Sequence, residues 1–226
     1  MLVSLQNMFS QLIKMFKPLT PVQRAYLATA SLHTSLGMFE SVVIWRTKSV
    51  AANTVVFYLT SALVALTQVM VELDVKSTAP YFLTVFGCIF LANCFYLMVC
   101  LSSAKDKHIS WVCFTFLALY YGICHALHNN MLVVGSREQF LRVLLFASTL
   151  ANNFVPFESL LATVSSRNRS CPPQWIPLTT GLLQSLFGGL HHHRLHDALM
   201  APADALGVAV HLFGLIVEMQ SSFVRS

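Results

Sequence analysis

Between Ser77 and Ala104 the chain contains no Asp, Glu, Lys or Arg. That run exceeds the roughly 20 apolar residues that a helix needs to cross a bilayer. Three further charge-free runs reach the same length: Ser49 to Val71, His108 to Ser136 and Ser170 to His193. Three more apolar stretches carry only acids: Ala25 to Trp45 holds Glu40, Val143 to Ser166 holds Glu158, and Ala198 to Met219 holds Asp204 and Glu218. The runs are continuously apolar rather than alternating, which selects helices over a barrel. Seven transmembrane helices are therefore expected, near residues 25–45, 50–71, 79–101, 109–128, 141–164, 174–191 and 199–219.

Composition agrees. Charged residues make up 10% of the 226 residues and hydrophobic residues 56%. A water-soluble domain carries roughly 25% charged residues, so this chain has too few to solvate its surface. Its net charge of +5 comes from Lys and Arg scattered in ones and twos, which suits loops facing lipid head groups. Nucleic-acid binding would need a basic cluster on one solvated face, and no such cluster occurs. Of the six cysteines, five fall in apolar stretches and none forms a Cys-x-x-Cys pair. They read as small packing residues, with no disulfide or zinc framework.

Residues 1–24 read as an amphipathic segment. Leu2, Leu5, Phe9, Leu12 and Phe16 recur at three- and four-residue steps, with Lys14 and Lys17 near the end, a pattern for a helix lying on the membrane surface. Residues 220–226 read as a C-terminal tail. With the N-terminus away from the cytosol, Arg46, Lys48, Lys105, Lys107, Arg167 and Arg169 are cytosolic. Arg225 in the tail joins them, and Lys76, Arg137, Arg142 and Arg194 together with Lys14, Lys17 and Arg24 on the other side balance these seven, so charge counting alone gives no orientation.

An internal duplication organises the spans. Residues 38–49 read MFESVVIWRTKS and residues 156–170 read PFESLLATVSSRNRS. Each holds Phe-Glu-Ser, an apolar helix end, then a turn of basic, any, basic, Ser. Each is followed by a span, a short polar loop and another span. The two units are a first three-helix bundle, residues 25–101, and a second, residues 141–219. The helix at 109–128 links them. One linking helix between units of three makes the repeats parallel, an arrangement in which transporters place the substrate at the repeat interface.

These residues resemble the SWEET sugar facilitators, the MtN3/saliva family, over most of residues 25–219. The matching turns are Arg46-Thr47-Lys48-Ser49 and Arg167-Asn168-Arg169-Ser170. Ala201-Pro202-Ala203-Asp204-Ala205-Leu206-Gly207 is similar to the family's Pro-Asn start of the last helix, with Asp204 where Asn is usual. Thr84-Val85-Phe86-Gly87 fits the third helix, with Thr84 at an Asn position. The resemblance implies a bidirectional facilitator of sugars working by alternating access. It implies a solute site at Thr84, Asp204, Thr67 and Gln184, the last standing where the family has Trp. Proline hinges are implied at Pro156 in the fifth helix and at Pro173 or Pro177 at the start of the sixth. The expected partners are a small solute, a sugar first of all, and the lipid bilayer, with homo-oligomers compatible. The expected location is multi-pass in the plasma membrane rather than an internal membrane.

The remaining polar residues carry rival readings. Asp204 lies about six residues into the last span, where a carboxylate is expensive and usually faces a cavity. Its bland reading is an interfacial acid paired with Arg194 or Lys76. Glu40 and Glu158 occupy equivalent repeat positions, and snorkelling toward the basic turns is the favoured reading over a gate. His191, His192, His193 and His196 suit a metal site, yet no second His or Cys cluster continues a path, so a polar loop cap is preferred. No metal site, cofactor or catalytic residue is assigned, since phosphate loops, nucleophile triads and metalloprotease motifs do not occur. The rival to a SWEET-like carrier is a proton-coupled transporter of the PQ-loop type, moving an amino acid or other small solute. A non-transporting seven-helix protein is the third reading.

Overall fold

The computed structural model describes residues 19–48, 50, 52–74, 80–104, 107–129, 136–166, 175–194 and 197–225. For residues 52, 53, 74, 80, 107–110, 128, 156–166, 175 and 221–225 it describes the backbone alone. The described residues form seven helices: α1 (Pro21–Thr47), α2 (Ala52–Asp74), α3 (Pro80–Ser103), α4 (Lys107–His128), α5 (Arg137–Ser166), α6 (Trp175–Arg194) and α7 (Ala201–Arg225). Each expected span coincides with one of them. Of the expected amphipathic segment 1–24, residues 1–18 lie outside the described residues and Pro21 to Arg24 already belong to α1, while α7 continues through most of the stretch expected as a tail. Four helices, α1, α2, α3 and α7, are long and apolar enough to cross a membrane by length and composition.

Local chemistry sets the helix ends. Thr20 caps α1 through a reciprocal pair with Gln23, and Pro21 stands at the first helical position, where its missing N–H costs nothing. Lys48 closes α1 in a left-handed conformation at φ 51°, its N–H donating to the Ile44 carbonyl over 2.8 Å. Pro202 lies in the first turn of α7. There its missing N–H falls among the helix-start donors that have no helical acceptor, so α7 runs on unbroken past Asp204.

The packing order repeats. In the first triple α3 packs against both α1 and α2, and in the second α7 packs against both α5 and α6. The third helix of each triple thus sits between the other two. Because α3 is apolar around its whole circumference, it suits a place with neighbours on two sides. The bundles meet along α1–α6 and α2–α5. Exchanging α1 for α5 and α2 for α6 turns one contact into the other, as an approximate two-fold axis between parallel repeats requires. Helix α4 packs on α2 and α3. Its Trp111, Phe114, Phe116, Leu119 and Ile123 are exposed, a face that lipid would cover.

Helices in lipid gain little from hydrophobicity and associate through close packing and hydrogen bonds. Small residues mark the closest approaches. A Cβ at Gly37 would stand 2.8 Å from the Tyr96 ring, and one at Gly207 would stand 2.9 Å from Asn153 Nδ2. Asn153 Nδ2 donates to the Ala203 carbonyl over 2.9 Å, tying α5 to α7.

Candidate functional site

A cavity of about 410 Å³ lies between the bundles. Small-molecule sites typically span roughly 300–1,000 Å³. Its walls come from α1, α2, α3, α5, α6 and α7, and its polar lining includes His33, Glu40, Ser61, Asn93, Asn152 and Gln184. A second cavity of about 60 Å³ continues toward the start of α7, reaching Tyr26, His192 and Asp204. His33, Phe57, Val64, Asn152, Gln184 and His211 line both. These shared residues form the partition at mid-depth.

Two polar bridges span the bundles there. His33 Nδ1 is 3.0 Å from Thr180 Oγ1, joining α1 to α6. Asn152 Oδ1 accepts from Thr60 Oγ1 at 2.9 Å and from Ser61 Oγ at 2.8 Å, joining α5 to α2. Aligning Glu40 with Glu158 sets Asn152 opposite Thr34, one residue from His33. Aligning Ser49 with Ser170 sets Thr180 opposite Leu59, one residue from Thr60. The bridges therefore occupy near-equivalent places in the two repeats.

Beyond the partition, rings and one buried pair fill the end formed by the starts of α1 and α7. His191 stacks on Phe82 at 5.2 Å and on Tyr26 at 5.5 Å between ring centroids. His191 and His192 are buried, while His193 on the same last turn of α6 is exposed. His192 Nδ1 stands 2.8 Å from Asp204 Oδ2, and Asp204 is buried in the first turn of α7. The partial positive charge of a helix start favours a carboxylate there. Apolar residues Leu19, Leu27, Ala30, Ala65 and Ile89 pack behind the rings. At the surface of this end Arg142 Nη1 pairs with Asp197 Oδ2 at 2.7 Å. At the opposite end, Glu40 Oε2 accepts from the Tyr58 hydroxyl over 2.6 Å on the wall of the larger cavity.

The structure sorts the sequence-derived candidates. Gln184 lines both cavities, Asp204 the smaller, and Pro177 the larger. Thr67 is fully buried and lines neither, since its hydroxyl bonds the Leu63 carbonyl and the Tyr120 hydroxyl of α4. Thr84 is exposed and lines neither cavity. It is replaced on α3 by Phe86, Ile89 and Asn93, which do line the larger one. Thr84 lies nine residues from Asn93, roughly two and a half turns, and so on the opposite face. Pro156 lies within helical α5, where its missing N–H leaves the Asn152 carbonyl without the usual helical donor. Pro173 and the turn at 167–170 lie outside the described residues. Asp204 pairs with His192 rather than Arg194, Glu40 lines the cavity rather than snorkelling away from it, and His191 and His192 are buried rather than a loop cap. Among the described residues no group of three or more His, Cys, Asp or Glu side chains is placed to hold a metal ion.

The chain superposes on a solved eukaryotic SWEET transporter with a TM-score of 0.67, at 19% identity, covering 90% of this chain and 99% of that one. The fold is SWEET-like. No protein-family model and no curated protein sequence matches the chain.

Proposed function

We propose that this chain is a membrane transporter, a SWEET-like bidirectional facilitator that carries a small hydroxyl-rich solute, a sugar first of all, by alternating access. The observation that carries this reading is the cavity of about 410 Å³ at the repeat interface, polar at mid-depth. Transport then consists of the bundles rocking about their shared contacts α1–α6 and α2–α5. The Tyr26, Phe82, His191 and His192–Asp204 layer parts while the Glu40 end closes. Gln184, Asn93 and Asn152 contact the solute, Asp204 belongs to the closing layer, and Pro156 with Pro173 or Pro177 supplies the hinges. The plasma membrane is the proposed location.

A second reading has its own observation. Glu40, His33, His211 and Asp204 follow one another along the two cavities, and titratable groups inside a membrane often form proton relays. That favours a proton-coupled carrier of the PQ-loop type, moving an amino acid or other small solute. One experiment separates the two. Purified protein in liposomes is given a panel of labelled hexoses, disaccharides and amino acids at two pH values, with and without a proton gradient. A facilitator equilibrates a sugar whatever the gradient. A coupled carrier concentrates its solute only with an inward proton gradient. Fluxes equal to protein-free liposomes for every solute would defeat both.

A further inference from the structure

The tautomers of two histidines at the partition, half-buried His33 and buried His211, can be read from their partners. Thr180 Oγ1 donates to the Ile176 carbonyl at 2.9 Å or the Pro177 carbonyl at 3.1 Å, so its one proton is spent on its own helix. Its oxygen then accepts from His33 Nδ1–H over 3.0 Å. A neutral imidazole with Nδ1 protonated presents Nε2 as an acceptor. His211 repeats the arrangement: its Nδ1 is 2.6 Å from the Gly207 carbonyl, which can only accept. Its Nε2 is likewise an acceptor. Neither Nε2 has a hydrogen-bond partner among the described residues, and both rings line both cavities. Gly181 makes room for His211, because a Cβ there would overlap the Nε2 end of the ring.

Asn152 has the opposite polarity. Ser61 Oγ donates to its Oδ1 at 2.8 Å, which orients the amide and leaves its NH₂ as a donor. No Lys or Arg lines either cavity among the described residues.

We infer that His33 and His211 form the acceptor side of the solute site and make it selective for solutes that present hydroxyl donors, with Asn152 as the opposing donor. This rests on the transport reading above and names the residues that set its specificity. A solute whose hydroxyls both donate and accept satisfies both sides. A solute lacking the donating hydroxyl leaves a buried acceptor unpaired, which is penalised more heavily than a missing contact is rewarded.

The test uses the reach of amide side chains. Asn at position 33 can keep the Thr180 contact of Nδ1 but has nothing at the Nε2 position, whereas Gln places an amide near Nε2. Wild type, His33→Asn and His33→Gln are titrated by calorimetry with a hexose and its complete monodeoxy series. In wild type one deoxy position is expected to weaken binding about ten-fold. His33→Asn is expected to bind the parent hexose about ten-fold more weakly and to lose sensitivity to that one position. His33→Gln should keep that sensitivity. The pair His211→Asn and His211→Gln gives the same comparison should His33→Asn fail to fold. Equal losses in the Asn and Gln variants, or an unchanged deoxy pattern in His33→Asn, would overturn the inference while leaving the transport reading standing. A wild type that transports sugars in liposomes yet shows no deoxy-sensitive position would do the same. No binding and no flux for any member of the series would overturn both.

Discussion

His192 on α6 and Asp204 on α7 form a buried pair, Nδ1 to Oδ2, 2.8 Å apart at the narrow end of the cavity. Gly188 and Gly189, one turn earlier on α6, leave the space into which Asp204 projects: a Cβ at Gly188 would stand 3.3 Å from Asp204 Oδ1 and also 3.3 Å from the Tyr26 ring. The pair thus joins the two helices at the wall of the smaller cavity.

Asp204→Asn keeps an oxygen acceptor for His192 Nδ1–H and the shape of the side chain. It is expected to fold and to transport. Asp204→Leu leaves a buried imidazole N–H unpaired and should lower stability by about 1.5–3 kcal/mol, with loss of transport. Thermal unfolding in detergent and flux in liposomes measure the two effects. A Leu variant as stable and active as wild type would remove the pair from the closing layer.

Glycine contacts give a sharper contrast. Gly181→Ala drives a methyl into His211, and overpacking of this kind costs about 1–3 kcal/mol. Gly87 has nothing within 4 Å of its would-be Cβ. Gly87→Ala should therefore be neutral or raise stability by up to about 1 kcal/mol through helix propensity. Unfolding temperatures of the two variants, measured side by side, check the sign of each.

Pro156 tests the hinge. The Asn152 carbonyl lacks its helical donor because of this proline, and the Asn152 side chain carries the α5–α2 bridge. Pro156→Ala restores the helical bond and should stiffen α5 just where the bundles meet. Expression and melting should stay near wild type while the transport rate falls several-fold. An unchanged rate would show that rocking does not use this position.

Orientation is testable through Asn168-Arg169-Ser170, the chain's sole Asn-x-Ser/Thr sequon. With the N-terminus away from the cytosol this turn is cytosolic, so Asn168 should stay unmodified in a eukaryotic host. Glycan found on Asn168 by mass spectrometry would invert the orientation.

The helices were legible because long charge-free runs leave few alternatives, and the repeat was legible because Phe39-Glu40-Ser41 and its basic turn recur at 157–170. The insertion of α3 and α7 between their partners was not. It depends on which helix faces interdigitate, and α3, apolar all round, has no polar face to orient it. The site divides the same way. Asp204 stood out as a charge inside a span. His33, Asn152 and His211 carry the same signal, a polar group in an apolar helix, but neutral side chains scarcely disturb a charge scan. Thr84 failed on register. A helix turns about 100° per residue, so only packing decides that Asn93 faces the cavity and Thr84 does not.

The central claim is that a solute crosses through the cavity between the repeats by alternating access. Solute counterflow tests it most directly. Liposomes holding the purified protein are loaded with unlabelled hexose and diluted into a trace of labelled hexose. The account predicts a transient overshoot of label inside the vesicles, abolished when Asn152→Leu removes the bridge to Ser61 and the donor side of the site. Label that merely equilibrates, or enters no faster than in protein-free liposomes, would contradict it.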